Sequence, residues 1–250
     1  MRRASVAASS SCAAVLSGPI VTRMMGETNN ADVSMLAREI GGRLSSLGRP
    51  TAQNLRAIRR EFSRRLRDAP PDYLIELALG LVDAGRLEHR VVAYELLHYH
   101  PTALAHVNAR LLKRLGQGLA SWGAVDCYAS YISGPVWRER HVRGSLICSW
   151  ARSRDRWWRR AALVSTVPLN IKARGGRGDA HRTLRICRML DRDRDPMVAK
   201  ALSWALRALA TRDRTAVRKY LASRGNGLPA LVLREVRNKL TTGVKNPRKR

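Results

Sequence analysis

Three short segments of the chain set one acid, several tryptophans and several arginines at helical spacing. In ASWGAVDCYASYI, Trp122 and Asp126 stand four residues apart and share one face of a helix, with Val125, Ala129 and Ile132 near that face. A carboxylate in a largely apolar stripe is expensive to bury unless a cation or hydrogen bonds satisfy it. Asp126 is therefore either a held, functional acid or an acid favoured by the dipole of a helix's first turn, with Trp122 as ordinary core. DRWWRRAALVSTV opens a helix at Asp155, a suitable cap, and sets Trp157, Trp158, Arg159 and Arg160 in succession. An indole beside a guanidinium supplies an apolar wall and a phosphate fork in one place, which makes Trp157, Arg159 and Arg160 candidates for contact with a nucleic acid. Structurally, Trp157 or Trp158 is core and one arginine neutralises a buried acid such as Asp126, a pairing compatible with function.

The third segment, DPMVAKALSWALRALATRD, is the most informative by geometry. At about 100° per residue, Val198, Ala201, Leu202, Ala205 and Leu209 form one stripe, while Lys200, Trp204, Arg207 and Thr211 fall opposite. A tryptophan among cations, turned from the apolar stripe, suits a surface that meets a sugar or base. If the helix is covered on both sides, Trp204 is core instead.

The elements that must hold these side chains are helices. Apolar residues recur at helical spacing over about 31–240, without the alternation of strands, and roughly a dozen helices are predicted. Breaks fall at 48–51, 69–72, 84–87, 100–102, 116–118, 133–135, 153–155, 168–179, 191–196 and 225–229. Pairs of helices thus repeat at the roughly 40-residue scale of HEAT-type units, although a non-repetitive bundle gives a similar pattern. The predicted organisation is a disordered N-terminal tail over 1–30, one domain over 31–240 and a basic C-terminal tail over 241–250. The first 33 residues imitate a secretion signal only poorly, because Ser, Gly and Pro break the apolar stretch. The glycine-rich loop RGGRGD and the terminal KNPRKR are expected to be mobile, either as solvated linkers or as non-specific phosphate contacts.

With 47 Lys and Arg against 19 Asp and Glu in 250 residues, the formal net charge is +28. Such an excess repels itself in a monomer and implies a polyanionic partner, nucleic acid first, unless the whole proteome is basic. Cys12, Cys127, Cys148 and Cys187 are scattered, with no CxxC pair and no histidine at ligand spacing. Free thiols in a reducing cytosol are expected, with no metal and no cofactor. No run of 18 apolar residues exists to span a membrane.

Taken in order, the W-x-x-x-D of SWGAVD, the W-x-x-R-A-A of WWRRAAL, the K-A-x-x-W-x-L-R of KALSWALR and the R-E-x-x-K-L of LREVRNKL resemble the AlkD-like family of HEAT-like repeat DNA glycosylases. GRPTAQNLRAIRREF and LEHRVVAYELL resemble the family's early helices, so the likeness covers about 31–240. Ser121 stands where the family often has a second tryptophan, and Gly123 replaces a bulkier residue.

The resemblance implies an all-α solenoid of antiparallel helix pairs whose basic concave face carries Trp122, Asp126, Arg160 and Trp204 around the damaged nucleotide. It further implies a monofunctional glycosylase of base excision repair, acting on double-stranded DNA and hydrolysing the N-glycosidic bond of cationic purines such as 3-methyladenine, 7-methylguanine or bulkier N3 and N7 adducts. Asp126 would stabilise the oxocarbenium-like sugar and position or deprotonate water. Trp122 and Trp204 would offer π faces worth roughly 0.5–2 kcal/mol each. Arg160 would clamp a phosphate, with Arg56, Trp157, Arg159, Lys200 and Arg207 as further DNA contacts. No flipped-base pocket, lyase step or metal is implied, and the chain is read as a monomer of the bacterial cytoplasm, nucleoid-associated when on DNA. The rival readings are a non-catalytic HEAT-like protein that binds DNA or RNA through the same basic surface, and a protein-interaction scaffold.

Overall fold

The computed structural model describes residues 19–247, and the side chains of 31–247. Residues 1–18 of the expected N-terminal tail, with Cys12, and 248–250 of the C-terminal tail lie outside it. Among the described residues the fold is all-α, with no strand. The helices are α1 (Pro19–Ser45), α2 (Ala52–Arg65), α3 (Pro71–Asp83), α4 (Leu87–Tyr99) and α5 (Ala109–Leu115). There follow α6 (Trp122–Tyr128), α7 (Gly134–Arg138), α8 (Gly144–Ala151), α9 (Arg156–Val164) and α10 (Val167–Asn170). The chain ends on α11 (Ala180–Leu190), α12 (Pro196–Leu209), α13 (Arg214–Arg224) and α14 (Ala230–Thr242). No described helix is long and apolar enough to cross a membrane.

Short polar side chains set the starts. Thr51, Asn108, Ser121, Asp155, Asp179, Asp195 and Asp213 each accept from a backbone N–H two or three residues on, satisfying a donor that has no partner within its helix. The helices then stack by their apolar stripes. α2 packs on α4, α4 on α6, α6 on α9, α9 on α12 and α12 on α14. α1 packs on α3, α3 on α5 and α8 on α11, while α3 meets α4, α8 meets α9 and α11 meets α12. On α12 the predicted stripe Val198, Ala201, Leu202, Ala205 and Leu209 is fully buried.

Two sequence expectations are revised. The break predicted at 133–135 is absent, because a π-helical turn, Ala129–Ser133, carries α6 into α7 without leaving helical dihedrals. Pro135 lacks the N–H that an unbroken helix would give the Tyr131 carbonyl; His98 Nδ1 supplies it instead at 2.9 Å, which fixes the proton on that nitrogen. A Cβ on Gly134 would lie 2.7 Å from the Ala129 carbonyl and from Pro168, so glycine lets this turn press against the start of α10.

The glycine-rich loop is tied down rather than loose. Arg212 donates to the carbonyls of Asn170 and Gly176 at 2.9 and 2.8 Å, Arg138 donates to that of Arg174, and Asn170 Oδ1 accepts from Asp179 N at 3.0 Å. Gly176 lies against Asn170 and Ile171, where a Cβ would come within 2.7 Å of backbone nitrogen.

Candidate functional site

Ser121 caps α6 through the Ala124 N–H, so the helix begins on Trp122 and brings Asp126 round one turn later. Trp122 is 62% exposed, which removes the reading of it as core. Asp126 is the fifth residue of α6, beyond the first turn, and the dipole does not account for it. Its partner is Arg160 of α9, whose Nε donates to Oδ1 at 2.8 Å and Nη2 to Oδ2 at 2.7 Å. Arg160 Nη1 donates to the Met197 carbonyl at 2.5 Å, so one guanidinium ties α6, α9 and the first turn of α12 together. The arginine side chain is 6% exposed and the aspartate 19%. Burial holds the Asp126 carboxyl above its usual range, and the Arg160 pair offsets only part of that rise.

These residues open onto a groove of about 480 Å³ lined by Trp122, Asp126, Arg160, Met197, Lys200, Trp204, Arg207 and Lys245. Trp204 has a mixed environment, half-buried against the core on one side and lining the groove on the other. Lys200 is exposed one turn before it. Arg207, one turn after, donates to Ser203 Oγ at 3.1 Å and stands 3.7 Å from Glu235 Oε2. Glu235 of α14 is buried, accepts the Ser203 hydroxyl at 2.6 Å and pairs with Lys245 at 3.1 Å. Burial pushes the Glu235 carboxyl up, but Ser203, Lys245 and Arg207 together hold it below its usual value.

The structure thus gathers Trp122, Asp126, Arg160, Trp204, Lys200 and Arg207 from the sequence candidates. It does not bring the others to the groove. Arg159 points into the turn before α9, donating to the Ser153 and Arg154 carbonyls and to Asp193 Oδ2 at 2.7 Å. Trp157 packs partly on the core with the Arg156 guanidinium 4.9 Å above its ring, and Trp158 lies among Tyr128 and Trp150. Arg56 is exposed on α2. Arg160 is buried, with Nε and Nη2 on Asp126 and Nη1 on Met197, so it is the arginine that neutralises the acid, the pairing that the sequence offered as compatible with a functional role.

Met197, Glu235 and Lys245 were missed. Glu235 sits in the LREVRNKL motif, where an acid amid cations on a late helix was the available signal. Lys245 reaches the groove because Asn238 Nδ2 holds its carbonyl at 3.0 Å and folds the segment after α14 back. No curated protein matches the chain. Residues 42–240, which include every residue lining the groove except Lys245, match the family described as DNA alkylation repair enzyme, and the protein belongs to that family.

Proposed function

We propose that the protein is a monofunctional DNA glycosylase that hydrolyses the N-glycosidic bond of alkylated, cationic purines in duplex DNA. The observation that carries this reading is the Asp126 carboxylate, held by both oxygens in a groove between Trp122 and Trp204. A purine alkylated at N3 or N7 already carries positive charge, so it leaves with the glycosidic electron pair and needs no proton from the protein. What remains is an oxocarbenium-like sugar, which a carboxylate stabilises by charge. Asp126 accepts a proton from water as the water oxygen bonds to C1′, and the products are the free base and an abasic site. A carboxyl whose pKa stands above the ordinary value is the better base for that step.

Arg160 serves as a positioning residue, since it acts through Asp126. Trp122 and Trp204 offer ring faces to the sugar and the cationic base, and Lys200, Arg207 and Lys245 offer positive charge to flanking phosphates. The relay of helix on helix from α2 to α14 supports the HEAT-like solenoid reading, with the groove on its concave, basic face. The deciding experiment incubates the purified chain with methylated duplex DNA and measures released 7-methylguanine and 3-methyladenine. Release by the wild type, lost in Asp126→Asn with duplex affinity retained, is the expected result. Duplex binding that weakens steeply with salt but never releases a base would establish the non-catalytic alternative.

A further inference from the structure

A second cavity, of about 500 Å³, lies between α2 and the end of α4 and shares no lining residue with the Asp126 groove. Arg60, Arg64 and Arg67 line it at i, i+4 and i+7, all three exposed, and no carboxylate lines it. None of the three is paired with an acid among the described residues, unlike their neighbour Arg59, which bonds Glu95 at 3.3 Å. Three cations drawn onto one wall repel one another, and nothing in the lining relieves them.

Among the apolar side chains that also line the cavity, two polar groups are left without partners. His100 Nδ1 accepts from the backbone N–H groups of Thr102 and Ala103 at 3.3 and 3.2 Å, so in the neutral ring the proton sits on Nε2. That Nε2 and the Ser63 hydroxyl oxygen are both buried without a hydrogen-bond partner, and both residues line the cavity. Buried polar groups are rarely left so, because the lost hydration is not recovered. Tyr99, half exposed and with the Arg59 guanidinium 4.1 Å over its ring, forms a flat apolar rim.

An occupant must therefore bring negative charge and several acceptor oxygens, and it gains if it carries a ring or sugar to lay on Tyr99. We propose that this cavity is a phosphate-binding site separate from the lesion groove. Its phosphate comes from one of two sources, a phosphodiester of bound DNA or a free phosphate group, and both present the same oxygens to His100, Ser63 and the arginines.

Three variants test the site: Arg64→Gln combined with Arg67→Gln, His100→Asn, and Ser63→Ala. Asparagine keeps an acceptor for the Thr102 and Ala103 N–H groups while deleting the Nε2 donor, and Ser63→Ala guards against a folding defect in His100→Asn. One arm measures undamaged-duplex affinity against salt, and the other titrates inorganic phosphate by calorimetry. If the source is DNA, His100→Asn or Ser63→Ala weakens the duplex severalfold and the arginine pair flattens the log–log salt slope by about one unit per lost contact. If the source is a free phosphate group, the wild type binds inorganic phosphate and the variants bind it at least tenfold more weakly. Loss confined to the arginine pair, with His100→Asn and Ser63→Ala equal to wild type in both arms, would mean diffuse surface charge and would overturn the site, as would no change in any variant. Neither readout depends on base release, so the result stands apart from the glycosylase reading.

Discussion

Arg160 grips both carboxylate oxygens of Asp126, at 2.8 and 2.7 Å, and spends its third nitrogen on the Met197 carbonyl. A lysine ammonium at the same place is a single point of charge and cannot span two oxygens and a carbonyl on another helix. Arg160→Lys is expected to slow single-turnover base release on the order of a hundredfold while leaving duplex affinity near wild type. A phosphate clamp would behave in the opposite way, losing affinity first. Arg160→Ala strands a buried acid and should cost about 3–5 kcal/mol in denaturant unfolding.

The same pair sets the pH response. Burial raises the Asp126 carboxyl above its ordinary range, and in the proposed reaction the carboxylate is the working form, so single-turnover release should fall on acidification with a midpoint above an ordinary aspartate. Arg160→Lys should move that midpoint higher still. A profile flat through the mildly acidic range would argue against Asp126 as the base.

Glu235 has the opposite sign for stability. Its folded-state pKa is depressed, so its contribution is present above the unfolded value and is lost as pH falls through the folded one. Glu235→Gln should therefore melt well below wild type at neutral pH, and the gap should close below the ordinary glutamate range. Equal gaps at pH 7 and pH 3 would remove the ion-pair explanation.

The two tryptophans should separate activity from stability. Trp122 is 62% exposed, so Trp122→Ala is expected to leave unfolding within about 0.5 kcal/mol of wild type. Loss of its ring face should slow base release by roughly 2- to 30-fold, the factor equivalent to about 0.5–2 kcal/mol. Trp204 also packs on the core, and Trp204→Ala should lose activity together with about 1–3 kcal/mol of stability.

What could be read from the sequence was local. The stripe of α12, the Asp155 cap and the shared face of Trp122 and Asp126 follow from spacing within one helix, and the structure has all three. What stayed open or failed depended on partners far along the chain. Adjacent Arg159 and Arg160 differ by about 100° around α9, and only the packing of α6 beside it decides that Arg160 meets Asp126, 34 residues away. Arg212 fixes the glycine-rich loop from 36 residues beyond Gly176. Proline at 135 reads as a break until His98, on another helix, is seen to take the orphaned carbonyl.

Two lysines reach the groove, which makes the absence of a lyase step a testable matter. A Schiff base to the abasic sugar needs an amine lone pair. Lys245 donates to the buried Glu235 carboxylate at 3.1 Å, so its nitrogen is already engaged, and Lys200 stands exposed beside Arg207 on the same helix face. Borohydride added during turnover of methylated duplex should therefore trap no covalent protein–DNA adduct. Lys245→Gln should keep base release at saturating protein while weakening the duplex and flattening its salt slope by about one unit, as expected for a lost phosphate contact. A trapped adduct that vanishes in Lys245→Gln would instead make this residue a nucleophile, and the reaction bifunctional.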